Sequence, residues 1–280
     1  ESVQRILTLK FRLYSTFTFN EVITPPAGLE QVGAGEQVTL EVARKAATLI
    51  SPSLAELGDA FPDPPNQNDR MVFITDAHSA KQCSACAVQP VMDVRALETV
   101  VVRRYGPDAG GGINPNNLIS YSLKELNELL TLGPGDSPLE SDLKRAHWVI
   151  FSMVGSMDGD PSYAVLKSFL SERPDLFQQK RVIVFAFGAP YYLDATNISK
   201  LAAYYGLYSK ARPFVDVAAY LLFRELAPEG SLPVSIPGVY DLNQALFADP
   251  DQVIQLFLDE PGPSPDEGTV TPTLPAFGLG

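Results

Sequence analysis

The sequence predicts an α/β fold, a three-layer α/β/α sandwich built on a mostly parallel sheet. Three observations predict it. The runs Met71-Val-Phe-Ile-Thr75, His147-Trp-Val-Ile-Phe-Ser-Met153 and Arg181-Val-Ile-Val-Phe-Ala-Phe187 are almost continuously apolar, as strands buried on both faces are. The segments between them place apolar residues at helical spacing. Strands therefore alternate with helices along the chain, which calls for a parallel sheet covered on both faces. Its crossovers are expected to be right-handed.

Composition bounds the function classes. The chain has 280 residues, room for one large domain or two small ones, and 45% of them are hydrophobic, enough for a full core. The net charge is −12 and the isoelectric point about 4.6. A nucleic-acid partner wants a basic face and an anionic membrane wants a basic patch, so both are disfavoured. No apolar run approaches the roughly 18 residues that cross a bilayer, so no membrane span is expected. The start Glu1-Ser-Val-Gln-Arg5 does not read as a signal peptide.

Each element follows in order. Ser2 to Leu13 reads as a helix with Val3, Ile6 and Leu7 on one face, and it opens as if in mid-pattern. Asn20 to Gln37 contains Pro25-Pro26 and Gly33-Ala-Gly35 and reads as a connector. Helix resumes near Thr39 with Leu40, Ala43, Ala47 and Ile50 at core spacing, passing into a short strand at Ala47 to Ser51. Asp59 to Asp69 holds three prolines and reads as a loop before the strand Met71–Thr75. Ala96 to Tyr105 is a helix stopped by Gly106-Pro107. Asp108 to Asn117 is a flexible loop, and Leu118 to Tyr121 a short strand. Ser122-Leu-Lys-Glu125 is a capping box opening a helix to about Leu132.

After the strand at His147, Ser162 is expected to cap a helix to about Leu170. The strand from Arg181 is followed by Ala202 to Tyr208, a last parallel strand rich in aromatics. Pro213 begins a helix whose core face is Phe214, Ala218, Leu221, Leu222 and Leu226. The Pro- and Gly-rich stretch from 260 onward reads as an extended tail or linker.

Chemistry could sit in the loops beyond the C-terminal strand ends, where open α/β sheets take ligands. The first offers Asp76 and His78, the second Ser156, Asp158 and Asp160, the third Gly188 to Asp194. A sugar hydroxyl or a hard cation could use such oxygens, but a solvated loop with local turn bonds explains them as well. Cys83-Ser-Ala-Cys86 admits three readings: a local disulfide or two reduced thiols, a redox dithiol, or zinc shared with His78 and His147. So few cysteines suit an exported or cell-surface protein at least as well as a cytosolic one. Gly110-Gly-Gly112 lacks the Gly-Lys-Ser/Thr of a phosphate loop. Tyr204, Tyr205 and Tyr208 read either as core or as a sugar-stacking platform. No cofactor and no metal are expected.

The stretch Val182 to Gly238 is the most specific signal. It runs VIVFAFGAPYYLDATNISKLAAYYGLYSK, then PFVDVAAYLLFREL, then GSLPVSIPG. It resembles the end of the second, α/β domain of glycoside hydrolase family 3, in the β-N-acetylhexosaminidase branch. The resemblance extends to about Leu242, and Ser2 to Leu13 is similar to the helix that often ends that family's barrel. It implies residues 1–19 as the last helix of an upstream barrel, 20–38 as a connector, 39–259 as the sandwich and 260–280 as a tail. The implied partner is that barrel, with carbohydrate as the implied ligand. The family's barrel carries a Lys-His-Phe-Pro-Gly-type segment, an Asp–His acid/base pair and a nucleophilic Asp. Neither His78 nor His147 stands in a matching context, so no catalytic residue carries over. The resemblance thus implies an accessory domain, inactive alone, or alternatively a carbohydrate- or partner-binding module.

Overall fold

The computed structural model describes residues 2–13, 35–81, 83–133, 135, 137–155, 161–236 and 238–242. The expected tail, most of the expected connector, and Ser156, Asp158 and Asp160 fall outside them.

Helix α1 (Ser2–Leu13) is followed by α2 (Glu36–Ala46), which starts before the expected Thr39 and leads into strand β1 (Thr48–Ser51). A single turn, α3 (Leu57–Ala60), precedes β2 (Met71–Thr75). A two-stranded antiparallel ribbon, β3 (Ser79–Ala80) and β4 (Gln89–Pro90), comes next, then α4 (Ala96–Tyr105). Helix α4 ends where the backbone turns extended at Gly106, a position only glycine fills because a Cβ there would lie 2.4 Å from the Val102 carbonyl oxygen. Strand β5 (Leu118–Ser122) runs directly into α5 (Leu123–Leu132), and the expected capping box forms, with Ser122 and Glu125 serving each other's backbone N–H groups.

Helix α6 (Leu139–Arg145), strand β6 (Trp148–Met153), helices α7 (Pro161–Glu172) and α8 (Pro174–Phe177), strand β7 (Arg181–Ala186), α9 (Ala195–Ile198), β8 (Ala203–Gly206) and α10 (Arg212–Leu222) complete the order. Two expectations are corrected here. Ser162 does not cap α7: Pro161, with φ preset for a helix, already opens it. Helix α10 ends at Leu222, short of Leu226. Arg224 turns to φ 56°, the N–H groups of Arg224 and Glu225 donate back to the carbonyls of Leu221 and Tyr220 at 3.1 and 2.9 Å, and this left-handed cap ends the helix while the Arg224 guanidinium donates to the carbonyls of Phe61 and Pro62 at 2.8 and 2.7 Å.

The main sheet has six strands in the order β1-β8-β7-β6-β2-β5. All neighbours are parallel except β1, which runs antiparallel to β8 at the edge. Every residue of β2 and β6 is buried. Their side chains alternate between two cores. Val72, Ile74, Val149, Phe151, Val182, Val184 and Tyr204 pack under α5 to α9. Met71, Phe73, Trp148, Ile150, Ile183, Phe185 and Tyr205 pack under α2, α4 and α10. Buried carboxylates are paired, as burial of charge requires. Glu98 takes Arg95 and the Ser120 hydroxyl, Asp142 takes Arg145 and the Tyr121 hydroxyl, and Asp216 takes Arg103 and Arg104.

Burial pushes the phenols of Tyr163, Tyr204 and Tyr205 well above their ordinary range. A raised pKa keeps the proton on the folded state where the unfolded chain would release it. The stability these groups contribute is complete below about pH 10 and is lost as pH climbs toward the folded-state values. Alkaline titration should therefore give a second phase of tyrosinate absorbance that coincides with loss of far-ultraviolet ellipticity. Complete ionisation with intact secondary structure would contradict this.

Candidate binding site at the crossover of the sheet

The chain leaves β2 toward β5 and leaves β6 in the opposite direction, toward β7. The strand order thus reverses between β2 and β6, and ligands bind at the C-terminal ends of such a pair. Asp76 stands at the C-terminal end of β2. Its N–H donates to the Ser152 carbonyl at 2.9 Å, extending the β2–β6 pairing by one residue. Its side chain is only 1% exposed. Oδ2 accepts the N–H groups of Gly155 at 3.0 Å and Val154 at 3.3 Å, and Oδ1 lies 2.8 Å from His78 Nδ1.

An ionised carboxylate only accepts, so His78 Nδ1 carries a proton and donates to Oδ1. Neighbouring bonds fix the dyad. Thr75 Oγ1 donates to Val94 O at 2.9 Å, and Val91 N–H donates to His78 O at 2.9 Å. Gly155 adopts φ +65°, the left-handed turn that aims its N–H at Asp76, and a Cβ there would press on the rings of Tyr163 and Tyr192. Gly188, after β7, approaches so closely that a Cβ would lie 1.8 Å from Val154 O.

A cavity of about 500 Å³ opens beside this dyad. Its polar lining includes Asp76, His78, Ser79, Lys124, Asn127 and Ser162, and Asp76 is its one carboxylate among the described residues. Pro90 of the ribbon also borders a second cavity of about 960 Å³, lined by Arg103, Lys210 and Arg212. Lys210 Nζ donates to Val91 O at 2.7 Å and braces the ribbon.

The structure thus brings Asp76 and His78 together. Asp194, from the third loop, instead caps α9, accepting the Asn197 N–H at 3.0 Å, and that bond holds its carboxyl below the usual range. Cys83 and Cys86 are joined by a disulfide in the loop that closes the ribbon. The zinc reading fails. His147 precedes β6 at the N-terminal end of the sheet, where its Nδ1 accepts the Arg70 N–H at 3.1 Å, while His78 follows β2 at the C-terminal end. Tyr204 and Tyr205 are fully buried, which removes the stacking platform. Gly111 sits where a Cβ would be 2.1 Å from Tyr105 O, so close packing explains a glycine of that loop. Lys124, Asn127 and Ser162 escaped the sequence reading. Their signal is positional: they lie in the early turns of the helices that follow β5 and β6, the two neighbours of β2.

The fold and site define a doubly wound α/β domain with a crossover cavity. No family model matches the chain, and no curated protein sequence matches it. Solved structures of family 3 glycoside hydrolases align with most of it. A fungal multi-domain family 3 β-N-acetylglucosaminidase with a GCN5-related glucosamine N-acetyltransferase region is 17% identical, with 78% of this chain and 21% of that chain covered and a TM-score of 0.49. The family 3 β-N-acetylglucosaminidase of Paenibacillus sp. str. FPU-7 is 15% identical over 84% of this chain and 39% of its own, with a TM-score of 0.47. β-Glucosidase 3B of Thermotoga neapolitana is 12% identical over 73% and 31%, with a TM-score of 0.44. The chain spans well under half the length of each, and TM-scores below 0.5 carry no weight for function.

Asp76→Asn replaces a buried carboxylate that accepts three N–H donors by an amide that accepts with one oxygen only. It should destabilise the fold by about 2–3 kcal/mol. His78→Ala, at a partly exposed ring, should change stability by less than about 1 kcal/mol. Urea unfolding of both variants, with unchanged denaturant slopes, checks the contrast; equal stabilities would refute it.

Proposed function

We propose that this chain is the second, α/β domain of a family 3 glycoside hydrolase of the β-N-acetylhexosaminidase type. It packs on a catalytic barrel and does not hydrolyse glycosides by itself. The observation that carries the reading is the run Val182 to Gly238, whose strand, strand and helix fold as β7, β8 and α10 in the order that its resemblance implies. The exposed apolar residues Val3, Ile6, Leu7, Leu9 and Phe11 of α1 support a helix that belongs to a neighbouring body.

Glycoside hydrolysis needs two carboxyl groups across the scissile bond, roughly 5 Å apart in retaining enzymes. Among the described lining residues only Asp76 has one, and three N–H donors occupy it. The purified chain should release no aglycone from an aryl N-acetyl-β-glucosaminide. Turnover that co-purifies with the chain and disappears in Asp76→Asn would overturn the reading.

A second reading, a carbohydrate-binding role for the same domain, is favoured by the cavity itself. Its volume lies in the range of small-molecule sites, and it sits at the crossover of the sheet.

A further inference from the structure

We propose that the larger cavity, bounded by the ribbon, α4 and the start of α10, binds a small organic dianion, a phosphate monoester or a dicarboxylate. The proposal goes beyond the accessory-domain and carbohydrate-binding readings and rests on neither. Both segments that line the cavity, 90–103 and 209–215, lie wholly within the described residues.

Positive charge gathers here against the sign of the whole chain. The protein has a net charge of −12, yet Arg103, Lys210 and Arg212 line this one cavity of about 960 Å³. Little on the protein neutralises them. Arg103 is held by Asp216, but Arg104 shares that carboxylate, so two guanidinium groups face one negative charge. Lys210 spends one N–H donor on the neutral Val91 carbonyl and keeps two. Arg212, exposed at the first position of α10, has no side-chain partner among the described residues. The lining holds one carboxylate, Asp93, whose Oδ1 accepts the Arg95 N–H at 2.7 Å, while the Arg95 guanidinium is matched by Glu98. Arg103, Arg104, Lys210 and Arg212 against Asp93 and Asp216 leave an excess of two positive charges. Salt limits electrostatic reach to roughly 8 Å at physiological ionic strength, so these groups outweigh the distant acidic surface.

The shape suits an organic body. The volume lies in the range of small-molecule sites, and Val91, Ala96, Val100 and Val215 supply an apolar wall. Ser209 Oγ accepts the Ala211 N–H at 3.2 Å, so its own O–H is left to donate. Arg212 carries the planar fork that takes a phosphate or a carboxylate through two parallel bonds. The Arg103–Asp216 pair ties α4 to α10, two helices that pack on each other, so the charged wall is fixed in advance.

The test is calorimetric titration of the full chain at neutral pH and low salt with phenyl phosphate, phthalate and benzyl alcohol. The three share a ring and differ in charge. At least one of the two dianions should bind at about 0.1–1 mM, and the tighter one identifies the oxyanion. Raising the salt tenfold should weaken that binding severalfold. Arg212→Gln should weaken it about tenfold at unchanged melting temperature. Arg44→Gln removes an exposed cation near Leu226 and Glu229, beyond the other end of α10, and should bind like the parent. The proposal is overturned if neither dianion binds, if benzyl alcohol binds as tightly as the better dianion, or if Arg212→Gln and Arg44→Gln bind alike. Glycoside cleavage by the chain would sink the accessory-domain reading instead, and leaves these titrations standing.

Discussion

Strands β2, β6 and β7 have no face that water can wet, and this constraint arranges the molecule. Their side chains alternate between two cores, so helices must cover both sides of the sheet. The chain meets that demand by crossing from β2 to β5 over one face and returning to β6 over the other. The reversal of strand order between β2 and β6 is a by-product of that route. The same burial makes unpaired backbone N–H groups at the strand ends expensive. Asp76 resolves the problem by accepting two of them, and in doing so orients His78.

Much of the fold was legible because its signals are local. Continuous apolar runs marked the doubly buried strands, Ser122 and Glu125 marked the start of α5, and Gly106 its predecessor's end. Two of the helix boundaries that differ from expectation have different causes. At α7 the proline beside Ser162 was a stronger start than the serine. At α10 the cap is a left-handed Arg224, a non-glycine that no local signal marks, and the carbonyls of Phe61 and Pro62, far back in sequence, hold its guanidinium.

The site was legible by half. Asp76 and His78 could be singled out because they directly follow a recognisable strand. Lys124, Asn127 and Ser162 could not, because their proximity to β2 depends on strand order, which alternation of strands and helices does not determine. The three readings of Cys83 and Cys86 stayed open for the same reason. Only the placement of His147 at the opposite end of a parallel pair separates it from His78.

The edge strand β1 gives the fold a temporal character. Thr48 and Leu49 pair with Gly206 and Tyr205, so the sheet's earliest strand in sequence lies against its latest. Closing that pair spans roughly 160 residues of chain, a separation that makes a contact slow to form. During synthesis β1 emerges long before its partner exists. Until β8 has been made, β1 waits with its hydrogen-bonding edge bare, and the nascent domain is most exposed to wrong partners in that interval.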